Sequence, residues 1–182
     1  MTTMEECAVQ LPMRTRLCAV AVGVLVLAAA SAAFAAIKVG SSAPDFALKD
    51  AVKANTYKLS DYRGKKVVLL DFGRLTCQPC RQVLTVLQKL EKHYAGKGVQ
   101  IFSVNLDGPL TDRVVPKGIQ DLKITFPVLL DRDYAVAKAY GVETIPFLVL
   151  VDTKGVARLV HVGYQDDLEA KLTNLIDQYR PK

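Results

Sequence analysis

The chain has 182 residues, of which 51% are hydrophobic and 23% are charged. This is the balance of a globular protein, with room for one ordinary domain and an additional segment. The net charge is +6, but Lys and Arg are scattered rather than clustered with aromatic residues, which argues against a nucleic-acid-binding groove.

The first 35 residues have the order of a secretory signal peptide. Arg14 and Arg16 precede an uncharged stretch over residues 17–37, and Ala33 and Ala35 supply small residues before the predicted cut. Cleavage after residue 35 leaves residues 36–182 as a single domain. The alternative is an uncleaved anchor that attaches the domain to the membrane, because about 20 apolar residues can span a bilayer. Both readings predict export from the cytoplasm.

Cleavage would also remove Cys7 and Cys18, so the mature domain would keep only Cys77 and Cys80. A disulfide between these two closes a very short loop and removes little entropy from the unfolded chain. In an oxidising compartment, such a pair is therefore predicted to serve chemistry rather than stability.

The mature segment shows an alternation of strands and helices. Apolar runs predict strands at residues 46–50, 56–59, 66–73, 99–106, 126–130, 147–151 and 156–162. Helical patterns predict a short turn at 60–63, a long helix from the cysteines to about residue 94, a helix that follows Asp131 or Asp133 and ends at Gly141, and a C-terminal amphipathic helix. Residues 107–125 are an additional loop and helix.

This order predicts an α/β protein with a central mixed sheet that is flanked by helices. The strand–helix–strand unit over residues 66–106 predicts a parallel pair with a right-handed crossover. The two short strands before it form an N-terminal hairpin extension, residues 107–125 form a central insertion, and the last two strands form a hairpin.

The segment Cys77-Gln78-Pro79-Cys80 opens the long helix and predicts a dithiol exchanger. At the N-cap, the sulfur of Cys77 lies near unpaired backbone N–H groups and the positive end of the helix dipole, which lower a thiol pKa. Cys80 lies one turn deeper, where it can resolve a mixed disulfide. Pro79 suits the first helical turn, because its missing N–H has no partner to lose there.

Asp71 interrupts an apolar strand six positions before Cys77. A buried carboxylate is costly unless it is protonated or paired, so its pKa is expected to rise. In that state it can accept or return the proton of Cys80 during exchange. The alternative is a hydrogen-bonded, inert residue at the exit of the strand.

Pro146 opens the strand at 147–151, where a central strand normally excludes proline. A cis bond would turn the chain sharply and leave the backbone of Ile145 free to pair with an extended substrate. The alternative is an ordinary proline of an edge strand.

A zinc site is the main other use of a C-x-x-C pair. Zinc needs four ligands, and the mature chain offers only His93 and His161 besides carboxylates. Both histidines are interpreted as surface or hydrogen-bonded side chains, so no metal is expected.

Together, these residues resemble the thioredoxin superfamily and, within it, the TlpA/ResA-like exported thiol–disulfide reductases. Asp71-Phe72 with the cysteines that follow is similar to the thioredoxin active-site strand and motif. Ile145-Pro146 is similar to the isoleucine and cis-proline of that fold. Other matching segments are 43–46, 59–65, 126–131 and 139–142.

The resemblance implies an enzyme that cycles Cys77 and Cys80 between dithiol and disulfide with no bound cofactor, and in which Asp71 handles a proton. It implies reduction of protein disulfides in the periplasm or another extracytoplasmic compartment, often on apocytochrome c. The electrons would come from a membrane thiol transporter of the DsbD or CcdA type. The residues implied to contact substrate are Ile145, Pro146, Gln78 and Pro79.

The segment before Cys77 departs from that family. The family normally has tryptophan just before the first cysteine, whereas this chain has Thr76 and no tryptophan at all. Gly73-Arg74-Leu75 also replaces the usual aromatic and small residues. The partner and the redox potential therefore stay open.

Two other functions use the same cysteines. A peroxiredoxin-like peroxidase has threonine three residues before its reactive cysteine and a proline earlier in that loop, but this chain has Arg74 there and no proline over 73–76. A Cu(I) chaperone could bind the metal through both thiolates, but no methionine- or histidine-rich tract accompanies them.

Overall fold

The computed structural model describes residues 36–53, 55–108 and 114–182. The predicted signal segment lies outside these residues. The strands are β1 (Ala47–Asp50), β2 (Thr56–Lys58), β3 (Val67–Gly73), β4 (Val99–Asn105), β5 (Val128–Leu130), β6 (Phe147–Val151) and β7 (Ala157–Val162). The helices are α1 (Gln78–Tyr94), α2 (Val115–Asp121), α3 (Ala135–Tyr140) and α4 (Leu168–Tyr179), with a 3₁₀ turn at Leu59–Tyr62. Within the described ranges, no helix combines the length and the apolar character that a membrane crossing needs.

The strands form one mixed sheet in the order β2-β1-β5-β4-β3-β6-β7. β3 and β4 are parallel, which confirms the predicted strand–helix–strand unit. β6 pairs antiparallel with β3 and continues into the predicted hairpin with β7. The N-terminal hairpin adds to the far edge through β1, which pairs antiparallel with β5.

The alternation of side chains along β3 decides which residues face the long helix. Leu70 and Phe72 point into the core layer that contains α3 and the 3₁₀ turn. Leu69 points into the opposite layer, beneath α1 and α4. Because successive side chains of a strand alternate between faces, Asp71 shares the face of Leu69. The carboxyl group therefore lies on the side of the sheet that carries the cysteine helix.

The central insertion packs against the loop that precedes Cys77. Its helix α2 contains Gly118, where an added Cβ would lie only 2.7 Å from Cδ1 of Leu75. The absence of a side chain at this glycine therefore makes room for Leu75, which also joins the small apolar cluster formed by Val115 and Ile119. Residues 109–113 of the insertion lie outside the described part of the chain.

Both aspartates that were predicted to start α3 contribute to its N-terminus. Asp131 accepts a hydrogen bond from the backbone N–H of Ala137 at 2.7 Å, and Asp133 accepts one from that of Ala135 at 3.2 Å. The helix ends at Gly141, which adopts the left-handed conformation that favours glycine (φ +68°).

Candidate active site

Cys77 and Cys80 form a disulfide across the first turn of α1, with their Cα atoms 5.2 Å apart. Cys77 is the N-cap residue, and its Sγ accepts a hydrogen bond from the backbone N–H of Cys80 at 3.3 Å. Cys77 is partly exposed, whereas Cys80 is only 1% exposed. The predicted arrangement of an outer and an inner sulfur is confirmed. Only the outer sulfur is open to a large partner.

Asp71 is completely buried within β3, two residues before the strand ends. Ser103 of β4 donates a hydrogen bond to its Oδ2 at 3.2 Å, and its Oδ1 has no hydrogen-bond partner among the described residues. Burial raises the pKa of Asp71 to about 7, and the bond from Ser103 offsets this only in part. The carboxyl group therefore gains and loses its proton near neutral pH.

Gly73 leaves open the space between this carboxyl group and the inner cysteine. A Cβ at position 73 would lie 3.4 Å from Sγ of Cys80 and 3.7 Å from Oδ2 of Asp71. The Cys80 thiol and the Asp71 carboxyl group therefore face the same small gap, and a side chain at position 73 would fill it. This geometry suits transfer of a proton between Cys80 and Asp71 through one water molecule.

A Gly73→Ala variant is expected to slow resolution of the mixed disulfide more than its formation. The added methyl group would lie 3.2 Å from Cβ of Cys80, so that side chain must shift, and the three atoms nearest to the methyl group belong to Cys80 and Asp71. We expect a loss of about 1–2 kcal/mol of stability from this overpacking. Stopped-flow kinetics of the two steps, together with urea unfolding, checks this. Equal slowing of both steps would contradict a role confined to Cys80.

The Ile145–Pro146 peptide bond is cis. Pro146 precedes β6, which lies between β3 and β7, so the interpretation as an edge-strand proline is wrong. Gly163 donates its backbone N–H to the carbonyl of Pro146 at 2.8 Å, which fixes one side of this turn. Gln78 is exposed on the first turn of α1.

A cavity of about 570 Å³ opens beside Ile145. Its wall combines apolar groups with the cationic side chains of Arg74 and Lys138, the carboxylate of Glu143 and the ring of Tyr134. This volume lies within the range of small-ligand pockets and is sufficient for side chains of an extended polypeptide.

Asp107 is a residue of this site that the sequence analysis missed. It follows β4, and its carboxylate accepts hydrogen bonds from the backbone N–H of Leu75 (2.9 Å) and from the hydroxyl of Thr76 (3.3 Å). The available signal was its position directly after a buried strand that is parallel to the strand leading to the cysteines. The carboxyl ends of parallel strands meet at one edge of a sheet.

His93 is exposed, which fits the first of the two interpretations of the histidines, whereas His161 is buried with one ring nitrogen hydrogen-bonded, which fits the second in part. His161 is 7% exposed, and its Nε2 has no hydrogen-bond partner within the described residues. Its Nδ1 lies 3.5 Å from Nζ of Lys171 on α4. Burial, followed by the charge of Lys171, lowers the pKa of His161.

The known proteins that this chain resembles include thiol-disulfide oxidoreductases and thioredoxin-like proteins. The sequence profile of the AhpC/TSA family matches residues 39–160. The chain is 36% identical over 142 residues to the thiol-disulfide oxidoreductase ResA of Geobacillus kaustophilus, covering 77% of this chain and 79% of that protein. It is 35% identical over 139 residues to the thioredoxin-like protein YneN of Bacillus subtilis, covering 75% and 79%.

Solved structures show the same likeness. A Chlorobium tepidum protein proposed to be the thiol:disulfide interchange protein DsbE superposes with a TM-score of 0.72 at 33% identity, covering 79% of this chain and 99% of that chain. The thioredoxin domain of a thiol-disulfide oxidoreductase from Bacteroides vulgatus superposes with a TM-score of 0.67 at 28% identity, covering 78% and 99%.

Proposed function

The chain belongs to the AhpC/TSA family and, within the thioredoxin superfamily, to the TlpA/ResA-like thiol–disulfide oxidoreductases. We propose that it reduces protein disulfides outside the cytoplasm through Cys77 and Cys80. The observation that carries the proposal is the unequal exposure of two bonded sulfurs at the start of α1, one partly open and one buried. A disulfide that serves stability has no need of this asymmetry.

The reaction begins when the reduced Cys77 thiolate attacks a substrate disulfide. The substrate S–S bond breaks, a mixed disulfide forms, and one substrate thiol leaves with a proton from solvent. Cys80 then gives its proton to Asp71 and attacks Sγ of Cys77, and the second substrate sulfur leaves as a thiolate that takes a proton from Asp71 or from solvent. The substrate gains two electrons, and the enzyme returns to the disulfide form.

The substrate is proposed to lie along the cis-proline turn. An extended segment would pair with the backbone of Ile145, contact Pro146, and cross the exposed first turn of α1 at Gln78 and Pro79. The adjacent cavity would then receive a neighbouring side chain.

Export is supported by the signal-like sequence of residues 1–35. Cleavage would release a periplasmic or otherwise extracytoplasmic domain, and retention would anchor it to the membrane. In either form, protein disulfides are the substrates, and a DsbD- or CcdA-like membrane thiol transporter is the proposed source of electrons. Apocytochrome c is a specific substrate to test, because ResA-like reductases often act on it.

The protein is expected to accelerate the reduction of insulin disulfides by dithiothreitol at least tenfold, because Cys77 is pre-activated at a helix N-terminus. Turbidity from the precipitating insulin chain measures this. The same preparation is assayed for peroxide consumption and for binding of Cu(I). Rapid peroxide turnover, or stoichiometric Cu(I) binding with insulin reduction at the background rate, would contradict the proposal.

A further inference from the structure

We propose that Asp107 is a positioning residue that holds the loop before Cys77 and, through its negative charge, makes the reduced Cys77/Cys80 dithiol a stronger electron donor. The proposal rests on the proposed function, because it assigns to Cys77 the role of attacking thiol. It adds a residue outside the C-x-x-C segment that shifts the equilibrium between dithiol and disulfide.

The carboxylate of Asp107 lies at the centre of a hydrogen-bond network. Its Oδ2 accepts from the backbone N–H of Leu75 at 2.9 Å and from the amide of Asn105 at 2.7 Å. Its Oδ1 accepts from the hydroxyl of Thr76 at 3.3 Å. Its own backbone N–H donates to Oδ1 of Asn105 at 3.1 Å. The charge is therefore held beside the residue that immediately precedes Cys77.

The loop has little freedom to move away from this charge. The backbone N–H of Leu106 donates to the carbonyl of Gly73 at 2.9 Å, and Nε of Arg74 donates to the carbonyl of Leu106 at 2.9 Å. The backbone N–H of Cys77 then donates to the carbonyl of Arg74 at 3.2 Å. The end of β4 thus fixes the loop along its length up to the nucleophile.

The negative charge of Asp107 destabilises the negatively charged thiolate of Cys77. The N-terminus of α1 favours an anion on Cys77, and the carboxylate of Asp107 at the same helix end reduces that preference. A unit charge near a titratable group, in an effective dielectric between those of a protein surface and water, changes its pKa by about half to one unit. A less stable thiolate means a less stable reduced form, and hence a stronger reductant.

Other charged groups lie on the segments that carry the cysteines and along the cavity beside Ile145, and they are the same in every variant compared. Arg74 and Arg81 lie on the same stretch of chain, and Asp71 lies on β3. Lys138 and Glu143 line the cavity from α3 and the segment after it. Because they are unchanged, the difference between Asp107→Asn and the wild type reports the charge of Asp107.

Two substitutions separate the charge from the hydrogen bonds. In an Asp107→Asn variant, the amide oxygen can accept from Leu75 and Asn105 as Oδ2 does, and the amide nitrogen can donate to the hydroxyl of Thr76. An Asp107→Ala variant removes both the charge and the network. Asp177→Asn is the matched control, because it removes a carboxylate that is paired with Arg180 at the other end of the domain.

The test compares the thiolate titration of Cys77, followed by ultraviolet absorbance, and the equilibrium with glutathione across pH. We expect Asp107→Asn to lower the pKa of Cys77 by about half to one unit. Its dithiol form should be favoured about three- to tenfold over that of the wild type near pH 9, with no difference near pH 5, where the thiols are protonated in both. Asp177→Asn should follow the wild type at every pH.

A titration curve and glutathione equilibrium of Asp107→Asn that match the wild type would overturn the proposal, even if Asp107→Ala unfolds. The same outcome would leave the proposed function intact as long as insulin reduction still depends on Cys77. Loss of that dependence would instead overturn the proposed function.

Discussion

A Cys80→Ala variant is expected to accumulate a covalent adduct between Cys77 and its substrate, while its catalytic turnover falls to the uncatalysed rate. Cys77 remains partly exposed at the N-cap of α1 and can still attack, but no second sulfur is left to break the mixed disulfide. Cys77→Ser is expected to lose turnover equally and to form no adduct, because the 1% exposed Cys80 is shielded from large partners.

Non-reducing electrophoresis and mass spectrometry of the two variants, each incubated with a disulfide-bonded protein, measure the adduct. In cells, the same Cys80→Ala variant would identify physiological substrates by what is attached to Cys77. Equal trapping by both variants would show that the assigned order of the cysteines is wrong.

An Asp71→Asn variant is expected to exchange disulfides about 100-fold more slowly at neutral pH and to be more stable than the wild type at alkaline pH. The rate falls because Cys80 loses its proton acceptor, and a factor of 10² is the lower end of what general acid–base catalysis contributes. In the wild type, the rate should rise as Asp71 loses its proton, which it does with a pKa of about 7.

The effect of Asp71 on stability has a defined sign. The pKa of Asp71 is raised from 3.8 in the unfolded chain to about 7 in the folded protein, so the folded state holds this proton more tightly. The contribution of Asp71 is most favourable below about pH 4 and is lost as pH rises through 7. The lost stability is about 4 kcal/mol, and asparagine does not lose it because it does not titrate.

Urea unfolding of the oxidised proteins at about pH 4 and pH 8 measures this difference. The free energy of unfolding of the wild type should fall relative to that of Asp71→Asn between the two values. A constant difference, combined with unchanged exchange rates, would reduce Asp71 to a structural residue.

The fold was predictable because its central elements carry strong local signals. The apolar run that became β3 is buried along its whole length, and the periodic apolar residues of α1 all lie in one core layer. Their order along the chain leaves few topologies, so the parallel pair of β3 and β4 followed from connection rules. The elements ended within two residues of the predicted positions.

The surroundings of the cysteines were less predictable, because they depend on contacts between distant residues. Asp107 reaches Leu75 across 32 positions of sequence, and no local pattern distinguishes it from an ordinary loop aspartate. The sequence left open whether His161 is exposed or hydrogen-bonded for the same reason: its burial is decided by the packing of α4 on β7, where Lys171 lies beside its ring. Asp71 was found because a charge within an apolar strand is visible locally.

The close packing of Leu75 against Gly118 has a consequence for protein engineering. A chimera that receives the tryptophan-containing loop of related reductases would keep a helix α2 shaped for leucine at this position. The surface of α2 around Gly118 would be complementary to the native loop that carries Leu75 and not to the transplanted loop. The two segments therefore form one exchangeable module, and a transplant has to carry both.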